Sequence, residues 1–279
     1  MSSFRHILII FFTLGSIGSQ AQPHHTDYKR CDVELNKPYI KSYLTDSWNI
    51  LKSPVRWRAK QWAIAGAVSG ATIIACTQDD VIRDFFQRHR IHRADKAAQY
   101  FFEPLGKGIV ALSVGAGFYA VGEISGQAGA KRAGLTAVKA IALTSVFTYA
   151  IKYASQRHDP PDNTPPDPGI WEGPFGSFQN TSFPSGHSSV VFALAAVIAS
   201  EYNEGIWVPA IVYSLASLVA ISRVYEDEHW ASDVIFGSAL GFFTGKFVYM
   251  STVKCPQLVM IPAVSAGGHP GFTMVYQLR

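Results

Sequence analysis

Six apolar segments constrain this chain more than any other feature: residues 62–76, 109–121, 135–154, 189–199, 207–221 and 234–249. Each has the length and spacing of a helix, and none shows the strict alternation of a half-buried strand. The expected fold is therefore all-α, a helical bundle of about six core helices. Several of the segments run only about 11–15 residues, short of the roughly 20 needed to cross a bilayer. Mean hydropathy is +0.12, high for a soluble enzyme and low for a chain made mostly of membrane spans. Both observations predict a bundle lying on a membrane rather than a polytopic protein. Small residues, among them Gly115, Gly237, Gly241 and Gly245, let such helices approach closely.

The segments outside the bundle set its context. Residues 1–21 read as a signal peptide: Arg5 opens it, a short apolar run follows, and Ser19 and Ala21 put small residues at the −3 and −1 positions. Cleavage after Ala21 and export to the periplasm or cell envelope are expected. Residues 22–55 form a polar extension with short helical pieces, residues 56–250 the helical domain, and residues 251–279 a tail. In that tail two apolar runs flank a Gly-rich turn, which predicts a small β-hairpin. Residues 78–96 carry charges of both signs and read as an exposed helix. Residues 159–184 are rich in Pro and Gly, with Trp171, Phe175 and Phe178 as apolar anchors, and read as an ordered loop over a site. The net charge of +4 is too small to argue for nucleic acid. The three cysteines match no metal motif and allow one intramolecular pair at most.

Three groups of residues carry chemistry. Ser222 and Arg223 precede His229 and Asp233. With the sixth helix read from Trp230 onward, His229 and Asp233 lie four apart on nearly one face, so that Asp233 holds one ring nitrogen and aims the other outward. Pro184, Ser185, Gly186 and His187 open the fourth helix, whose backbone N–H groups suit a phosphate. Lys152 and Arg157 end the third, where two cations can clamp anionic oxygens.

In that order the three groups resemble the three-part signature of the type-2 phosphatidic-acid phosphatase and vanadium haloperoxidase superfamily. The second and third parts match residue for residue. In the first, Asp159 stands before Pro160 where the family has an arginine, and Arg157 fills the other basic position. The resemblance implies a metal-independent phosphatase without a cofactor, acting on a phosphorylated small molecule or a lipid (di)phosphate. His229 would be the nucleophile, Asp233 its orienter and His187 the acid and base. Lys152, Arg157, Ser185, Gly186 and Arg223 would bind phosphate. It also admits a vanadate-dependent haloperoxidase, or a non-catalytic envelope protein of the same fold.

Overall fold

The computed structural model describes residues 30–176 and 181–254, and the backbone of 258–264 and 270–276. The polar extension is more ordered than its composition suggests. Asn36 caps helix α1 (Lys37–Lys52) by accepting from the Tyr39 N–H at 2.9 Å. One face of α1 is polar because it is buried against a cation: Asp46 meets the Lys139 ammonium at 2.5 Å, and both are over nine-tenths buried. Ser42 and Ser251 complete the hydrogen bonds of that pair. A buried ion pair persists only with such satisfaction.

The chain continues through α2 (Ala59–Cys76), α3 (Asp79–Arg88) and α4 (His92–Ala97). A π turn (Ala98–Phe102) and one further turn (Glu103–Gly106) lead into α5 (Gly108–Ser125). Then come α6 (Ala128–Ser155), α7 (Gly186–Glu201), α8 (Trp207–Tyr225) and α9 (Ala231–Val253). The expected all-α bundle is the fold of residues 33–252, and α6 and α7 each carry more buried residues than its other helices. The charged stretch 78–96 is two helices rather than one. Asp79 within it is fully buried, not solvated.

Close packing follows from the glycines. A Cβ on Gly237 would lie 2.6 Å from the Ser185 carbonyl oxygen, and one on Gly245 2.6 Å from that of Ala193. Gly241 between them faces the Ser189 carbonyl in the same way. This four-residue spacing brings one face of α9 onto the α7 backbone. The contact locks the start of α9 to the start of α7, where the second and third groups of chemical residues lie.

The helices are longer than the apolar segments, which corrects the expectation of a bundle too short to span. Polar residues extend both ends, so α6 runs 28 residues, about 42 Å at the usual rise. Helices α5, α6, α8 and α9 are long and apolar enough to cross a membrane. Large apolar side chains on them face outward, among them Ile109, Ile124, Ile211 and Leu218. The protein is membrane-associated, and α7, at 16 residues, sits largely buried inside the bundle.

The other described residues form a separate unit. Within it β1 (Leu258–Val264) and β2 (Pro270–Tyr276) pair antiparallel, with Ile261 opposite Thr273. Cys31 is disulfide-bonded, and Cys76 in the bundle is a free thiol. The segment expected to be a signal peptide, the Gly-rich turn and Phe178 lie outside the described residues.

Candidate active site

Both chain direction and packing bring the site to one end of the bundle. Helix α6 ends there with Lys152, α7 begins there with Gly186 and His187, α8 ends there with Arg223, and α9 begins there just past His229. The left-handed Gln156 (φ 41°) terminates α6 and turns the chain into the long loop. Ser185 is the N-cap of α7. Its side chain accepts from the Ser188 N–H, and its own N–H donates to the Asp233 carbonyl at 3.1 Å. Ser185 is fully buried beneath α9, with its hydroxyl also accepting from Ser188 Oγ at 3.0 Å.

The turn between α8 and α9 fixes His229. Asp227 adopts a left-handed conformation (φ 67°) and is clamped by Arg83 through two hydrogen bonds. The N–H groups of Glu228 and His229 both donate to the Arg223 carbonyl, at 3.0 and 3.3 Å. The acidic run is therefore a built turn that ties the nucleophile candidate to Arg223.

The structure corrects two sequence expectations here. His229 precedes α9 instead of lying on it, so the one-face argument for a direct His229–Asp233 bond fails. Helix α9 starts at Ala231 because the Asp233 carboxylate accepts the Trp230 N–H at 3.0 Å, capping the helix. Asp233 also accepts from Arg157 at 2.5 Å and from Ser182 Oγ at 2.6 Å. Ser182 Oγ in turn lies 3.5 Å from His229 Nδ1. Arg157 is the second correction. It was expected to bind phosphate, yet it is fully buried and all its donors are engaged, by Pro168, Ser232, Asp233 and Asp79. Its guanidinium is flanked by the Trp171 and Trp230 rings at 4.7 and 5.5 Å. No donor of Arg157 is left for an anion.

Lys152, Gly186, His187, Arg223 and His229 are brought together. Lys152 donates to the carbonyls of Thr181 and Ser182, and its Cε is the nearest atom to a Cβ built on Gly186, at 3.9 Å. Arg223 is 98% buried, pairs with Glu226 and shares a cavity wall with His187. The His187 ring packs on Gly106, and its Nε2 is buried without a partner. Burial, then the Arg223 charge, pull His187 down to about 4, against a smaller upward pull from Glu103. Burial, followed by Lys152, His187 and Arg223, holds His229 well below the usual histidine range. Both imidazoles are thus uncharged at neutral pH, which leaves a ring nitrogen free to attack. Asp159 faces inward, 3.7 Å from His229 Nδ1. Burial raises it to about 6, opposed by the Lys152 charge.

Two residues here escaped the sequence reading. Asp79 sits in a charged stretch that resembles a solvent face, and Ser182 carries no signal within the Pro-rich loop. Among the described residues no three His, Cys, Asp or Glu side chains are arranged to hold a metal ion.

Residues 133–256 match the PAP2 superfamily model. The chain is 40% identical over 77 residues to the lipid A 1-phosphatase of Porphyromonas gingivalis, covering 27% of this chain and 17% of that protein. It is 32% identical over 135 residues to a PA-phosphatase related-family protein of Dictyostelium discoideum, covering 42% and 47%. The chain thus spans less than half the length of either curated relative. Among solved structures it is similar to LpxE of Aquifex aeolicus (TM-score 0.47, 22% identity, 61% of this chain and 93% of that one). A similar match is the PAP2 type phosphatidylglycerolphosphate phosphatase of Bacillus subtilis (TM-score 0.47, 19% identity, 77% and 93%).

Proposed function

We propose that this chain, whose residues 133–256 match the PAP2 superfamily model, is a metal-independent phosphatase acting on a lipid phosphate through a phosphohistidine. One observation carries this reading. Two cations, an unpartnered histidine and a second, uncharged histidine converge where the α7 N-terminus opens. His229 Nε2 attacks phosphorus in line; the P–N bond forms as the P–O bond to the leaving group breaks. A bound phosphate dianion favours the charged form of His187, which gives that proton to the departing oxygen and, now neutral, takes one from the water that cleaves the P–N bond. Lys152, Arg223 and the Gly186 N–H neutralise the equatorial oxygens, and such charge stabilisation supplies most of the catalysis of phosphoryl transfer. Ser185 Oγ keeps its own proton to donate. Asp233 acts on His229 through its neighbours.

The substrate's leaving group is polar. A cavity of about 430 Å³ adjoins His187 and Arg223, and its other walls are Arg90, Asp95, Gln99 and Glu103, with Glu226 and Glu228. Among the described residues no apolar side chain lines it. A hydroxyl- or amine-bearing headgroup fits those walls, while the acyl chains remain beside the apolar outer faces of the helices. Phosphate release from phosphatidic acid, a lipid diphosphate and a glycolipid phosphate, each in excess EDTA, tests this. EDTA-insensitive release, fastest from the polar-headed substrate, is expected. Failure to release phosphate from any of them contradicts the reading.

The site faces the periplasm or the outside of the cell in this proposal. A cysteine placed at Phe175, an exposed residue of the loop beside the site, should react with a membrane-impermeant maleimide in intact cells. Reaction only after lysis contradicts that orientation.

A further inference from the structure

We propose that Asp79, Arg157 and Ser182 are positioning residues for the nucleophile, forming one buried chain with Asp233 that ends at His229 Nδ1. The inference rests on the phosphatase reading above and adds to it the machinery that prepares His229. Every link is directional. The Ser182 hydroxyl donates to Asp233 Oδ2 at 2.6 Å, which leaves its lone pairs facing His229 Nδ1 at 3.5 Å. A proton on Nδ1 then has an acceptor, and Nε2 keeps its lone pair for attack. Ser182 is itself pinned to the chain, because its N–H donates to the Arg157 carbonyl at 3.0 Å. Behind it, Arg157 Nη1 donates to Asp233 Oδ1 at 2.5 Å and Nη2 to Asp79 Oδ2 at 2.8 Å. Ser232 donates to Asp79 from both its N–H and its hydroxyl. Asp79, Arg157, Ser182 and Asp233 are all fully buried.

The charge balance explains why two aspartates are needed. Arg157 paired with Asp233 alone would cancel the carboxylate. Shared between Asp79 and Asp233, the guanidinium leaves the group one net negative charge in a site with little water to screen it. As the P–N bond forms, the imidazole of His229 becomes cationic, and that net charge stabilises it. Around His229 the facing charges are Lys152 from α6, Arg223 from α8, and Asp159 and Arg157 from the loop, with His187 from α7 uncharged. Lys152 and Arg223 serve the phosphoryl group, and the buried carboxylates balance the charge that develops on the ring.

The test compares Ser182→Ala, Ser182→Thr and Asp79→Asn with wild type, each shown folded by its thermal unfolding transition. Ser182→Ala and Asp79→Asn should lower kcat at least ~10-fold while KM and inhibition by inorganic phosphate stay within about twofold, the signature of an interaction made in the transition state. Ser182→Thr, which keeps the hydroxyl, should recover most of the loss. Folded variants that turn over like wild type overturn the chain and leave the phosphatase reading intact. A wild type that hydrolyses none of the substrates overturns the phosphatase reading instead. Histidine-selective ¹⁵N NMR then decides the chain by itself: His229 protonated at Nδ1 in wild type, with a changed tautomer in Ser182→Ala, supports it. An unchanged tautomer overturns it.

Discussion

Replacing His229 by alanine is expected to abolish turnover, a loss on the order of 10⁶-fold as for removal of a nucleophile in other covalent catalysts. The size follows from the place of the ring. Its backbone N–H is tied to the Arg223 carbonyl, and the turn that carries it is clamped by Arg83 and Asp227. The substitution therefore deletes the imidazole without releasing the turn. Lys152 and Arg223 keep their positions, so inorganic phosphate should still bind. A variant that hydrolyses substrate at the wild-type rate removes His229 from the mechanism; one that loses phosphate binding as well points to a collapsed site.

His187→Ala is expected to have the second-largest effect, and its size should depend on the leaving group. For an alkyl phosphate the departing alkoxide needs a proton, and losing the donor costs about 10²–10⁴-fold. A nitrophenyl phosphate leaves without one. There the first step should stay fast while release of phosphate slows, because the same residue activates water. A burst of nitrophenol followed by slow turnover is the expected trace. An equal loss for both substrates, without a burst, contradicts the assignment. The pH dependence has a defined sign. Burial and Arg223 pull His187 from 6.5 to about 4 in the folded chain, so the unfolded chain takes up the proton first. Its contribution to stability is present above about 6.5 and is lost as pH falls toward 4. The unfolding midpoint of wild type should fall more steeply across that window than that of His187→Ala.

What the sequence made legible was local. The apolar periodicity located the helices of the bundle, and the three motif groups singled out Lys152, Gly186, His187, Arg223 and His229, which the fold gathers at one end of it. The helix lengths were not legible, because polar residues at the ends of α6 and α8 join the helix without adding to the apolar pattern. The His229–Asp233 relation was misread because spacing of four implies one face only if both residues are helical. Asp233 itself ends the helix short of His229 by capping Trp230. Arg157 looked like an anion ligand because a lysine-arginine pair at a helix end has no partner in local sequence. Its partner Asp79 lies 78 positions upstream, and only folding brings the two together. The same holds for Ser182, whose neighbours Asp233 and His229 belong to another helix and turn.

The central claim is that a phosphoryl group passes through His229 without a metal. Rapid quenching of the purified protein with a ³²P-labelled substrate in excess EDTA, followed by peptide mapping under alkaline conditions, tests it most directly. The account predicts an acid-labile, base-stable label on the peptide that contains His229, formed and lost at rates that match turnover, and absent from His229→Ala. A label on another residue, or full turnover with no labelled protein at any time, would contradict it.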